Sequence, residues 1–191
     1  MHTVPELLAQ LVSQMTSHGA SVSLQPGLSR DEIERIALKL PYPLTPELIE
    51  LYECCNGSAE RSPNSDSFIN LMRFLPLEEA IQHSANLRLW SKDEPDVYGP
   101  TWFPLLFADS GNYTCVECGE GPGKGSVISY DPEMGNSTEF TSVESMLATV
   151  IQYWIEGAYV AVDGKVEFAG PPYTKLKEIG RRMNPGADYW D

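Results

Sequence analysis

The sequence predicts an α+β domain, a mostly antiparallel sheet with helices packed on one face. Three observations lead there. Residues 1–56 repeat helical punctuation and helical apolar spacing. Residues 103–131 hold short apolar runs separated by breaker-rich gaps, too short for the crossovers that parallel strands need. A strongly apolar helical stripe then begins at Val143. Helices, then hairpins, then a helix describe helices laid over a hairpin-built sheet, and nothing in the order suggests a doubly wound parallel one.

Thr3-x-x-Glu6 has the form of a capping box, and Leu8, Leu11, Val12 and Met15 follow at helical spacing. This predicts a short amphipathic helix stopping near His18-Gly19. Ser29-x-x-Glu32 repeats the device, with Ile33, Ile36, Ala37 and Leu40 as its stripe and Pro41 and Pro43 as its stop. Thr45 caps a third helix with Pro46 in its first turn. Leu48, Leu51, Tyr52 and Cys55 face one way there, and Gly57 is expected to end it in the left-handed conformation. Ser58–Ser67 reads as a surface loop, Ile69–Phe74 as a strand, and Pro76-Leu77-Glu78-Glu79 opens a weaker helix reaching about Trp90. Lys92–Pro100 is a second loop. Strands are expected at 103–108, 113–118 and 126–131. Thr141-x-x-Glu144 is a third capping box, ahead of Val143, Met146, Leu147, Val150 and Trp154. Asp163-Gly164 between two apolar runs signals a tight hairpin. A basic helix is expected from Thr174 to Arg182, then a weakly ordered tail in which Tyr189 and Trp190 have the means to pack back.

A chain of 191 residues is most simply one domain, large enough to bury roughly 70% of its unfolded surface. Its 27 acidic and 13 basic residues give a net charge of −14. Such a surface repels nucleic acid and anionic membranes and attracts basic partners at low salt. The opening residues lack the basic start and apolar core of a secretory signal, so a cytoplasmic location is expected. The four cysteines are then expected to be reduced.

Leu40-Pro41 after an amphipathic helix, Leu51-Tyr52 leading to Asn56-Gly57, and Trp102-Phe103-Pro104-Leu105 recur in order. Asp109-Ser110-Gly111-Asn112-Tyr113, a hairpin to Val127-Ile128 and the helix after Thr141 complete the series. Together, across about residues 28–155, these resemble the SUKH superfamily of fungal cell-wall assembly regulators and bacterial toxin-immunity proteins. The expected organisation is a SUKH-like domain over 1–156, with 157–191, outside the resemblance, a C-terminal extension of hairpin and short helix packed on it. The resemblance implies a non-enzymatic binder, of the kind that neutralises a cognate toxin, many of which in that family are nucleases. A nuclease site is basic because it holds phosphates, and an acidic surface suits its occlusion. The same resemblance also fits a regulatory scaffold with no toxin partner.

The expected contact residues are loop carboxylates: Asp93, Glu94 and Asp96 in one loop, which is the preferred patch, Glu117 and Glu120 near a hairpin, and Asp131 and Glu133 beyond it. No catalytic, metal or cofactor residue is assigned. Cys115-x-x-Cys118-Gly119 has the look of half a zinc knuckle, at a point where the family often carries an acidic residue. On a strand the two thiols face opposite ways, and adjacent Cys54 and Cys55 make a poor second pair. A redox reading needs a strand-to-helix junction, whereas a strand comes next here. Gly123-Lys124-Gly125-Ser126 lacks the Lys-Ser/Thr step and the helix of a phosphate loop. His2, His18 and His83 are scattered, so no Ser–His or Cys–His pair has an anchor.

Overall fold

Thr3 and Ser29 each open a helix by offering their backbone N–H to the glutamate three residues on, at 3.0 Å to Glu6 and 2.9 Å to Glu32. In the computed structural model, which describes residues 2–59, 68–69, 71–93, 97–170 and 173–191, these helices are α1 (Val4–Ser17) and α2 (Arg30–Ala37). Thr45 caps α3 (Pro46–Cys54), its hydroxyl accepting from Leu48 N–H. Between α1 and α2 lies a strand the apolar pattern does not signal, β1 (Leu24–Pro26), paired antiparallel with β2 (Cys55–Ser58). The third helix therefore runs straight into a strand at Cys55, and Gly57 is not its terminator.

Of the strand expected at residues 69–74, only β3 (Arg73–Phe74) forms. Leu71 takes a positive φ of 62° and folds Met72 back on Ile69. After α4 (Leu77–Trp90) come β4 (Trp102–Phe107), β5 (Tyr113–Glu117), β6 (Val127–Asp131) and β7 (Gly135–Phe140). These pair as an antiparallel sheet in the order β3-β4-β5-β6-β7. β7 was not expected, because Gly-Asn-Ser-Thr-Glu-Phe carries a single large apolar residue.

The fold is thus α+β with antiparallel sheets, and its cover is not confined to one face. Tyr52 of α3 meets Phe103 edge-on at 6.1 Å on one face, where Phe103 pairs with Val116. Tyr113 and Cys115 point to the other face, where His83 of α4 packs on Phe107 and Tyr113.

Helix α5 (Val143–Ile155) is capped by Ser142, one residue later than the Thr141 pattern implies, with Ser142 Oγ accepting from Ser145 N–H at 3.0 Å. Glu47 of α3 adds a second cap by accepting from Val143 N–H at 3.0 Å, and burial holds its carboxyl above the usual range. The hairpin β8 (Tyr159–Val162) and β9 (Lys165–Phe168) turns at Asp163-Gly164 and touches Ser21 N–H through Gly164 O.

Helix α6 (Thr174–Met183) is tied to α5 by buried Asn184, whose amide donates to Thr149 Oγ1 and Gly180 O and accepts from Ser145 Oγ. The tail is ordered rather than loose. Asp188–Trp190 forms a 3-10 turn, and Trp190 is buried against Phe140 and Gly180.

Candidate interaction surface

The Asn56-Gly57 pair works at the start of α4. No side chain at Pro76 caps that helix, and Asn56 Oδ1 does so instead, accepting from Leu77 N–H at 2.9 Å. Tyr52 donates to Leu75 O, and Ser58 Oγ accepts from Phe74 N–H. A Cβ on Gly57 would stand 2.5 Å from Pro76 N, and its φ is +81°. Residues 52–58 thereby stitch β3 and α4 to α3.

A cleft of about 400 Å3 opens beside this seam, lined in part by Gln25, Asn56, Ser58, Arg73 and Glu79. Its polar walls serve the fold. Arg73 pairs with Glu79 at 2.5 Å and lies over the Phe107 ring, while Asn56 and Ser58 hold backbone N–H groups.

The Trp102 segment is a second junction. β3 covers β4 only from Leu106 onward, and Pro104 has no N–H to leave exposed. The carbonyl of Trp102 accepts from both Tyr42 and Tyr98 hydroxyls. Glu117 accepts from the Trp102 indole at 3.0 Å, Thr101 Oγ1 at 2.5 Å and Gly119 N–H at 2.6 Å.

That latch bears on the acidic residues. Both oxygens of Glu117 serve internal donors, so its carboxylate holds a loop rather than facing outward. Asp131 does similar work: Glu133 and Met134 N–H and Asn112 Nδ2 donate to it, and those backbone donors hold its carboxyl below the usual range. Glu120 is exposed and pairs with Lys124 at 2.7 Å; Glu133 is exposed at the opposite turn.

β5 and β6 are antiparallel, with Val116 opposite Val127 and Tyr113 opposite Tyr130. Glu117 and Glu120 therefore sit at one end of the sheet and Asp131 and Glu133 at the other. The four do not converge. Asp93 closes the 3-10 turn Ser91–Asp93 after α4, while Glu94 and Asp96 lie outside the described residues.

One surface escapes a search for carboxylates. Helix α4 carries two stripes. Leu77, Ala80, Ile81, Ser84 and Leu87 are buried. Gln82, Ala85, Asn86, Leu89 and Trp90, at i, i+3, i+4, i+7 and i+8, are all exposed and none is charged. Leu89 is 69% and Trp90 78% exposed, whereas Trp154 and Trp190 are buried and Trp102 half-buried. The available signal was the lack of any acidic residue between Glu79 and Asp93.

Thiol chemistry has little purchase here. Cys115 and Cys118 are buried and burial pushes both thiols up, which disfavours the reactive thiolate. His83 is bonded to Tyr113 Oη at 2.8 Å, and burial holds its pKa below the usual value despite nearby Glu79. Among the described residues no three His, Cys, Asp or Glu side chains gather as a metal site, and no helix is long and apolar enough to cross a membrane.

Comparison with curated proteins returns no match. The model of the SMI1 / KNR4 family (SUKH-1) matches residues 27–151, which run from the approach to α2 through most of α5 and include both the Asn56-Gly57 and the Trp102 junctions. On that match the chain belongs to the SMI1 / KNR4 family (SUKH-1).

Proposed function

We propose that this protein is a non-enzymatic binding protein of the immunity type, which neutralises a cognate toxin by covering its basic active site, a nuclease site being the best fit. The observation that carries this reading is the placement of charge. Residues 1–156 hold 22 acidic and 8 basic side chains, while 157–191 hold five of each. The whole surplus of −14 therefore belongs to the segment containing the family match. A field of that sign draws in a cationic partner and raises its encounter rate. The exposed carboxylates Glu120 and Glu133 stand at the two ends of the sheet, so the attraction is spread over the domain rather than gathered in one patch. A regulatory scaffold is the second reading, favoured by the breadth of the family.

The test is affinity capture from the source cell on immobilised protein, with mass spectrometry of what is held at about 50 mM and about 500 mM salt, across which the Debye length falls severalfold. The expected result is a basic toxin domain held at low salt and released at high salt, with an association rate that drops as salt rises. Capture of a large acidic or neutral regulator, or a salt-independent association rate, would replace this reading with the scaffold.

A further inference from the structure

We infer that the outer stripe of α4, ending in Leu89 and Trp90, is the apolar centre of the surface that docks the basic protein partner. This rests on the binding function proposed for the domain and names its site. Five consecutive stripe positions spanning two and a half helical turns carry no charge in a chain of net −14. Depletion of charge with enrichment of an aromatic is the composition of interface centres, where tryptophan is among the commonest anchors.

Packing among the described residues does not account for the stripe. The helix already buries its other face, Arg88 is turned away over Tyr42 and bonded to Ser84 O, and the exposed cation Lys92 stands just past the stripe's end, in the turn that follows α4. Gln82 and Asn86 bond to each other at 3.1 Å and keep the helix surface flat. Ala85 at the middle leaves room for a partner backbone or a large side chain to approach closely. Glu78 stands exposed at the start of the same helix and supplies a rim charge of the sign a basic partner prefers. Net charge opposes a second copy of this chain, which brings its own −14, and draws in a cation, so the occupant we infer is a basic protein whose apolar pocket receives Trp90.

The experiment uses the full chain and the partner it captures at low salt. Trp90→Ala is expected to weaken the complex by at least about tenfold, with Trp90→Phe recovering most of the loss. The melting temperature and the salt dependence of binding should stay those of the wild type, because the side chain is exposed and uncharged. Ile155→Ala, at an exposed position on α5, should bind as wild type. In hydroxyl-radical footprinting Trp90 should be oxidised in the free chain and protected in the complex. Trp90→Ala binding as tightly as wild type, or Trp90 staying reactive in the complex, overturns this surface alone. Failure of the wild type to retain any basic protein overturns the surface together with the function it rests on.

Discussion

At the scale of single residues, Asn56 and Gly57 have separate tasks that a pairwise motif does not reveal. Asn56 supplies the first-turn acceptor that Pro76 cannot, since proline has no side-chain hydrogen-bonding atom. Asn56→Ala should therefore cost about 1 kcal/mol, the usual loss for a helix cap, and Asn56→Asp should largely keep it because a carboxylate also suits a helix start. Gly57→Ala should cost more, about 2 kcal/mol, because a left-handed φ and a backbone atom 2.5 Å from the new methyl oppose it together. Chemical denaturation measures both, and an Asn56→Ala variant as stable as wild type would show that Leu77 N–H finds solvent instead. The Asn-Gly pair is plain in the sequence, but its partners lie some twenty residues on. Local pattern alone offers only the commonest reading of such a glycine, a helix stop. Glu117 misleads in the same way. Next to a hairpin it reads as a free loop carboxylate, and only the fold brings Thr101 and Trp102 to it.

Among the elements, β7 is an open sheet edge that the C-terminal segment covers. Phe140 and Thr138 face consecutive residues Val127 and Ile128, so Glu139 bulges out of the ladder. Its carbonyl accepts from the Trp190 indole at 2.6 Å, Thr138 N–H donates to Asp188 at 2.7 Å, and Thr141 N–H donates to Asn184. Uncovered edges invite pairing with other chains. Trp190→Ala should cost about 3 kcal/mol and produce concentration-dependent assembly in light scattering. Gly180→Ala, whose methyl would fall 2.5 Å from the indole, should do the same more weakly. Lower stability with an unchanged monomer would mean that the bulge alone protects the edge. The capping boxes at Thr3 and Ser29, the hairpin at Asp163-Gly164 and the order of helices and strands were legible because each is a local signal. β7 and the tail were not, because each is ordered by the other. A polar strand of six residues and a seven-residue tail hold no periodicity of their own, and Trp190 finds its seat 51 residues back in sequence. The α4 stripe was only partly legible, for a related reason: the acid-free run from 80 to 92 marks the helix, but apolar spacing does not say which of two helix faces the core will take.

For the molecule as a whole, charge sets two responses to salt with opposite signs. A net charge of −14 repels itself in the folded state more than in an expanded chain, and among the described residues few of the exposed acids have a close Lys or Arg. Raising ionic strength from about 0.01 to 0.15 M shortens the Debye length from about 30 to 8 Å and screens that repulsion. If relief is of order 1 kcal/mol, the melting temperature of the free protein should rise by about 2–4 °C for a chain of this size. The same salt should slow association with a basic partner, since it screens the attraction as well. Calorimetry of the free chain and stopped-flow association over one salt series read both responses. A protein whose acids were mostly tied in internal ion pairs would melt lower as salt rises, because screening would loosen those pairs. A partner without net positive charge would associate at a rate that does not fall as salt rises. Stabilisation of the free chain together with slower complex formation requires charge that is unpaired at home and complementary to something else.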